Sequence, residues 1–247
     1  MVGLSNLRAT AAQCALWGAL VLGLVQRADS AVIVVDDFLT SQSAASPAMN
    51  VGPFGPLSNT VSGGGIVGGW RTLALSGFTF NQLQSVSTAV GGGFVDYQSG
   101  AGSTGMGSLT YNGNGAGLGG ALAGTISFDV TLLFFNPGLN PSTISLAVSD
   151  NLNTVVETSG LLNSMTMTPV TLSFNFGLSG LNFNNITKVV LSLNNGSANG
   201  ADMTLQRFVA IQRDGIPGVP EPSSLVAMSG LLGLALAVRR GRQWFNV

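Results

Sequence analysis

Hydrophobic and polar residues alternate in short runs between Val32 and Ile211, and no window long enough for a helix shows a helical period. The clearest run covers residues 125–132, Thr-Ile-Ser-Phe-Asp-Val-Thr-Leu, in which every second side chain is apolar. A period of two places apolar side chains on one face of a β-strand and polar side chains on the other. The pattern therefore predicts strands with one packed face and one solvated face.

The predicted strands are short and are separated by glycine, asparagine and proline. They cover residues 32–38, 69–75, 78–80, 84–90, 94–98, 107–111, 124–135, 143–149, 154–158, 165–176, 186–193 and 203–212. Residues that favour hairpin turns lie between several of them: Asn112-Gly113, Asn114-Gly115, Asn136-Pro137-Gly138 and Asn195-Gly196. Many short strands without a regular repeat predict an all-β fold, an antiparallel two-sheet sandwich of jelly-roll type.

A longer apolar run lies near the N-terminus. Residues 11–25 are nearly all apolar, Arg8 precedes them, and Ala28-Asp29-Ser30 offers small residues for cleavage before Ala31. The pattern predicts that residues 1–30 form a signal-peptide helix, which directs export through the Sec translocon and is removed by signal peptidase. The alternative is an uncleaved anchor, for which about 15 apolar residues are short of the roughly 20 that span a bilayer.

A second uncharged apolar run, residues 225–238, lies near the C-terminus. The stiff, extended element Val219, Pro220, Glu221 and Pro222 precedes it, because each proline fixes its own φ and restricts its neighbour. A basic cluster follows: Arg239, Arg240 and Arg242. The arrangement predicts a hydrophobic helix that is held transiently in the inner membrane with its arginines in the cytoplasm. It divides the chain into a signal peptide, a single domain over residues 31–216, and a tail over residues 217–247.

These three parts of the tail resemble the PEP-CTERM sorting signal found in Gram-negative bacteria that make exopolysaccharide. The resemblance implies that an exosortase cleaves and transfers the chain near Pro220-Glu221-Pro222. This chain departs from the pattern in the five residues 243–247, which follow the basic cluster. The alternative is a plain tail anchor, which has no need of the Pro-Glu-Pro element.

Short segments of the body resemble a recurrent family of PEP-CTERM bodies that is similar to galactose-binding-like jelly rolls. The segments are Val34-Val35-Asp36-Asp37-Phe38, Gly68-Gly69-Trp70-Arg71-Thr72-Leu73, Ile186-Thr187-Lys188-Val189 and Ala201-Asp202-Met203-Thr204-Leu205. The resemblance implies that the first and last strands pair, and that carbohydrate recognition is a frequent function of such bodies.

Charged residues make up only 8% of the chain, which contains 35 glycines in 247 residues. Cytoplasmic domains carry roughly 25% charged residues, so this composition favours an extracellular β-protein. Between residues 31 and 217 there are eight acidic residues but only four basic ones, namely Arg71, Lys188, Arg207 and Arg213. Without a basic patch to neutralise phosphates, nucleic acid is excluded as a partner.

Composition also restricts catalysis. The chain has no histidine, and its single cysteine, Cys14, lies in the predicted signal peptide. Histidine-based triads, thiol nucleophiles and ordinary zinc sites are therefore excluded. Glu157 is the only glutamate of the body, and nothing in the sequence pairs it with a second carboxylate as a glycosidase would require.

Two sets of residues are candidates for binding. Asp36 and Asp37, beside Asp202, offer hard oxygen ligands by which a structural calcium ion would join the first and last strands; the alternative is solvated acids at strand edges. The aromatic residues Trp70, Tyr97 and Tyr111 offer rings that would stack on sugars, or that instead fill the core or rim of the sandwich. Apart from calcium, no cofactor is predicted.

The sequence therefore predicts an exported, non-enzymatic protein of the cell surface or extracellular matrix. Its partners would be the Sec translocon, signal peptidase, an exosortase and extracellular polysaccharide, with a structural or adhesive role in exopolysaccharide or biofilm. A carbohydrate-binding module of jelly-roll type is the alternative function, and a glycosidase is the third.

Overall fold

The computed structural model describes residues 31–45, 54–79, 86–138, 140–194 and 200–213. Thirteen β-strands make up most of these residues. All of them belong to the unit Ser30–Arg213. The predicted signal peptide, Pro-Glu-Pro element, apolar tail and arginine cluster lie outside the described residues. Within the described ranges, helical structure is limited to four short 3-10 turns, and no helix there is long and apolar enough to cross a membrane.

The strands follow one another in chain order. They are β1 (Val32–Asp36), β2 (Gln42–Ala45), β3 (Phe54–Ser62), β4 (Trp70–Thr79), β5 (Val86–Gly91), β6 (Phe94–Ser99), β7 (Thr104–Tyr111), β8 (Thr125–Asn136), β9 (Ile144–Asp150), β10 (Thr154–Thr158), β11 (Val170–Asn175), β12 (Ile186–Leu193) and β13 (Asp202–Gln212).

The strands form two antiparallel sheets that pack face to face. The seven-stranded sheet has the order β11-β8-β13-β6-β5-β2, and β1 also pairs with β13. The six-stranded sheet has the order β10-β9-β12-β7-β4-β3. Apolar side chains from the inner faces, including Leu73, Leu109, Phe128, Leu191 and Phe208, are fully buried between them. The predicted all-β sandwich of jelly-roll type is confirmed.

The first and last strands of the sandwich pair with each other. Val32 lies opposite Ile211 and Val34 lies opposite Val209, and the backbone N–H of Gln212 donates to the carbonyl of Ala31 at 2.9 Å. This pairing is what the resemblance to galactose-binding-like jelly rolls implies. The register shifts between Val34 and Asp36, and the pairing resumes with Asp36 opposite Phe208.

Two edge strands, β2 and β3, are absent from the sequence prediction. Their sequences, Gln-Ser-Ala-Ala and Phe-Gly-Pro-Leu-Ser-Asn-Thr-Val-Ser, are poor in the β-branched and aromatic residues that indicate strands. Pro56 is compatible with β3 because an edge strand leaves one side without a partner. The predicted strands 69–75 and 78–80 form one strand, β4, whereas the predicted strand 165–176 is shorter and begins at Val170.

Asn195-Gly196 lies outside the described residues, and the other predicted turn sequences do not form hairpins. Asn112-Gly113 and Asn114-Gly115 connect β7 of one sheet to β8 of the other, and Asn136-Pro137-Gly138 leads from β8 to β9 in the opposite sheet. The prediction of hairpins at these sites is wrong, because these connections cross between the layers. A tight hairpin instead joins β5 to β6 through Gly92 and Gly93, whose φ angles of 61° and 89° suit a type I′ turn.

Candidate functional site

A buried ion pair joins the two sheets at one end of the sandwich. Arg71 lies on the inner face of β4, and its Nη1 lies 2.7 Å from Oδ2 of Asp36, at the end of β1 in the other sheet. Neither side chain is exposed to solvent. A buried charge is costly unless it is paired and hydrogen-bonded, so each residue depends on the other.

The remaining polar atoms of the pair are also hydrogen-bonded. Arg71 Nε donates to Gln42 Oε1 at 2.8 Å, and its other terminal nitrogen donates to the carbonyl of Thr40. The Asp36 carboxylate accepts from the backbone N–H of Phe38 at 2.8 Å and from the Tyr111 hydroxyl at 3.0 Å. We call Asp36, Arg71, Gln42 and Tyr111 the arginine bridge.

Burial governs the electrostatics of the arginine bridge. It raises the pKa of the Asp36 carboxyl above its ordinary value, against the opposing effect of Arg71. Burial, and then the negative charge of Asp36, raises the pKa of the Tyr111 hydroxyl well above its usual range. Tyr111 therefore remains a protonated donor to Asp36.

A second polar bridge crosses the core near the opposite end of β7. The Tyr97 hydroxyl on β6 donates to the carbonyl of Gly105 on β7 at 2.8 Å. Asn194 Nδ2 donates to the Tyr97 hydroxyl at 2.8 Å and to the same carbonyl at 3.0 Å, and Ser142 donates to Asn194 Oδ1 at 2.9 Å. Burial raises the pKa of the Tyr97 hydroxyl.

The two tyrosines predicted to stack on sugars are thus part of the core. Tyr97 and Tyr111 are both 0% exposed, so neither ring offers a face to a ligand. For these residues the stacking hypothesis is wrong and the core alternative is correct. Trp70 differs: it faces outward at the start of β4 and remains 37% exposed. Stacking of a sugar on Trp70 stays a prediction.

The acidic residues proposed as calcium ligands lie apart. Asp36 pairs with Phe208, which is six residues along β13 from Asp202, so the two acids lie about 20 Å apart. Asp37 follows β1, and its Oδ1 accepts from the backbone N–H of Leu39 at 2.9 Å. No three acidic, histidine or cysteine residues come together as a metal site in the part of the chain that is described. The structure does not bring Asp36 and Asp202 together, and calcium binding stays a prediction.

The outward face of the six-stranded sheet carries two continuous rows of small side chains. Strand register places one row across all six strands, from β10 to β3: Val156, Ala147, Val190, Thr110, Thr72 and Thr60. A second row runs parallel to the first: Thr158, Ser145, Ser192, Ser108, Ala74 and Ser58. We call these two rows the hydroxyl face, since eight of the twelve residues carry a hydroxyl and none is charged.

The outward face of the seven-stranded sheet has different chemistry. It carries Asp96, Asp129, Asp202 and Arg207 at positions that alternate with buried residues. Thr204 Oγ1 donates to Asp96 Oδ1 at 2.7 Å on this face. Charged side chains therefore lie among the outward residues of the seven-stranded sheet, whereas the hydroxyl face contains none.

Sequence reasoning did not find the hydroxyl face, although its signal is present. Serine and threonine occupy every second position of Ser-Leu-Thr in β7 and of Ser-Asn-Thr in β3. These positions are the polar half of an alternating pattern, which indicates only that they face solvent. The alignment into rows depends on the register of six strands that lie far apart in the sequence.

Comparisons with known proteins give only distant likenesses. No family model and no curated protein matches the chain. Similar solved structures include a family 11 carbohydrate-binding module from Clostridium thermocellum in complex with a β-1,3-1,4-mixed-linked tetrasaccharide, at 14% identity and a TM-score of 0.36 over 73% of this chain and 95% of that chain. Another is TmCBM61 in complex with β-1,4-galactotriose, at 10% identity and a TM-score of 0.31 over 72% of this chain and 91% of that chain. With TM-scores below 0.5, these structures are too dissimilar to indicate the function of this chain.

Proposed function

We propose that this chain is an exported, non-enzymatic protein of the cell surface or extracellular matrix, and that its sandwich associates with exopolysaccharide. The observation that carries the proposal is the hydroxyl face, two adjacent rows of outward side chains in which no residue is charged. A hydroxyl both donates and accepts hydrogen bonds, as do the hydroxyls of a sugar, so such a surface suits a polyhydroxyl ligand.

Two of the acidic residues, Asp36 and Glu157, are not placed as a catalytic pair. The buried Asp36 carboxylate is paired with Arg71 and accepts a hydrogen bond from Tyr111 in the arginine bridge. Glu157 lies on the edge strand β10 opposite Leu146, on the side that faces the core. A glycosidase needs two carboxyls that flank one bond, and neither acid has such a partner in the interactions of the described residues.

The sequence of the tail supports the location. The tail resembles a PEP-CTERM signal in Val219, Pro220, Glu221 and Pro222 and in the arginine cluster, and this resemblance supports a location of the body outside the cell after processing. Mass spectrometry of terminal peptides from fractionated producing cells tests this point. We expect termini near Ala31 and Pro220-Glu221-Pro222 in the surface or matrix fraction, whereas an intact Val247 in the membrane fraction would show a plain tail anchor.

Co-sedimentation with polysaccharide tests the function itself. Full-length protein is mixed with exopolysaccharide from the producing cells and with insoluble reference glycans, and the bound fraction is measured against albumin as a negative control. We expect saturable binding without release of reducing sugars. Binding no greater than that of albumin to every glycan would overturn the proposed function.

A further inference from the structure

The hydroxyl face has a regular geometry. Its residues repeat across the sheet at the strand spacing of about 4.8 Å, and its two rows lie about 7 Å apart along the strands. No side chain in either row is larger than valine, so none projects far above its neighbours. An extended polymer that lies across the strands, along either row, therefore passes over a small side chain at every strand.

In the first row, the hydroxyl groups are confined to β3, β4 and β7. Thr60 and Thr72 hydrogen-bond to each other through their Oγ1 atoms at 2.8 Å. A pair of hydroxyls that shares one hydrogen bond keeps one proton and three lone pairs for a ligand. Thr110 continues the same row, whereas Val190, Ala147 and Val156 at its other end offer methyl groups that suit the C–H surfaces of sugar rings.

We infer that the hydroxyl face binds a neutral, extended polysaccharide that lies across the strands of the six-stranded sheet. This inference rests on the proposed function and specifies both the surface and the class of ligand. An anionic polysaccharide fits less well, because neither row contains a lysine or arginine. Lys188, opposite Ser149 and beyond the first row, is the nearest basic residue that faces outward on this sheet. A ligand and a surface that are both uncharged also avoid desolvating charges on binding.

A second copy of this chain is the other occupant to consider. The two rows cover about 24 Å by about 14 Å, on the order of 350 Å², as set by strand spacing and residue rise. A stable protein interface needs about 800 Å² from each partner. The hydroxyl face supplies less than half of this area, so a stable dimer would need contacts beyond it, whereas its size is sufficient for weak contacts repeated along a polymer.

Substitutions on the hydroxyl face test this inference. In the full-length protein, Thr60→Val, Thr72→Val and Thr110→Val are combined to remove three hydroxyls while keeping residues favoured in strands. Ser108→Arg is a separate variant that places a bulky cation on the second row. Ser173→Arg is the matched control, since it places the same side chain on the outer face of the other sheet. Thermal unfolding confirms that each variant is folded.

Binding is measured by co-sedimentation with curdlan, microcrystalline cellulose and chitin as neutral probes, and by affinity electrophoresis in alginate as an anionic probe. We expect the wild type to bind at least one neutral glycan with little dependence on salt. The triple valine variant should bind about tenfold or more weakly, because each lost hydrogen bond reduces affinity severalfold. Ser108→Arg should also weaken binding, whereas Ser173→Arg should bind like the wild type.

The outcomes separate the two proposals. If the wild type binds polysaccharide and the folded hydroxyl-face variants bind equally well, the surface is wrong but the proposed function stands. Binding to alginate alone, abolished by salt, would also overturn the inference without overturning polysaccharide association. If the wild type binds neither the probes nor exopolysaccharide from the producing cells, the proposed function fails and the inference fails with it.

Discussion

Arg71 and Asp36 approach to 2.7 Å across the space between the two sheets, and neither side chain is exposed. The pair joins strands of different layers at positions 35 residues apart in the sequence. Removing one member leaves a buried charge without a partner. The effect on folding stability is therefore expected to exceed the direct attraction between the two groups.

The first prediction concerns this pair. Arg71→Met should lower the free energy of unfolding by about 3–5 kcal/mol, because it leaves the Asp36 carboxylate buried and unpaired. The measurement is urea denaturation of the full-length protein. In the double variant Asp36→Asn with Arg71→Met, part of the loss should be recovered, since the unpaired charge is gone. A loss below about 1 kcal/mol for Arg71→Met would mean that the pair contributes no more than a surface ion pair.

The second prediction concerns close packing between the sheets at Gly107. A Cβ atom there would lie 2.5 Å from Thr88 Oγ1 and 3.2 Å from Tyr97 Cδ2. Gly107→Ala should therefore lower the free energy of unfolding by about 1–3 kcal/mol through overpacking. Gly64→Ala is the control, because nothing lies within 4 Å of its added Cβ. Equal stability of the two variants would contradict the close approach of β5 to β7.

The third prediction concerns Asp150, at the end of β9. Its Oδ1 accepts from the backbone N–H groups of Leu152 and Asn153 at 2.7 and 2.6 Å, and its Oδ2 accepts from that of Asn182 at 2.9 Å. These donors, led by Asn182, lower the pKa of Asp150. An NMR titration of the carboxyl carbon should give a midpoint below the ordinary value for aspartate.

A lowered pKa in the folded state fixes the sign of the pH dependence. The stabilising contribution of Asp150 is fully present above the ordinary aspartate pKa and is lost as the pH falls through the lowered folded pKa. Urea denaturation across this acidic range should show less loss of stability in Asp150→Asn than in the wild type. Identical pH profiles for the two proteins would argue against these hydrogen bonds in solution.

The fourth prediction concerns Trp70, two residues from Thr72 along the same outward face of β4. If its exposed ring contacts the ligand of the hydroxyl face, Trp70→Ala should weaken glycan binding about fivefold or more, as expected for a contact tryptophan. Co-sedimentation with the best neutral probe measures the effect. Leu178→Ala is a suitable control, because this fully exposed apolar residue follows β11 in the other sheet. Equal affinities of the two variants would exclude Trp70 from the binding surface.

Local alternation predicts several strands well. The predicted bounds of β10 and β12 match the structure, because β-branched residues alternate there between clear turn signals. It fails at β2, whose serines and alanines carry little strand signal, and at the Asn-Gly turns, where it cannot tell a hairpin from a crossing between sheets.

The candidate site was less predictable, for a physical reason. Tyrosine and aspartate both occur on protein surfaces as well as in cores. Tyr111 is buried with its hydroxyl hydrogen-bonded to Asp36, which is 75 residues away in the sequence. The hydroxyl face is likewise a property of strand register, because Thr60, Thr72 and Thr110 become neighbours only when three strands align. Such features require the tertiary structure.

The position of β13 has a mechanical consequence. This last strand pairs with β8 from Asp202 to Gln212, with β6 over its first residues and with β1 over its last. Antiparallel hydrogen bonds run perpendicular to the strands, so a pull along β13 loads both ladders together in shear. If the body is tethered through the chain that follows Gln212, a pulling force would have to break the hydrogen bonds on both sides of β13 together, rather than one at a time. The lifetime of the folded body under force would then be set by the rate of forced unfolding.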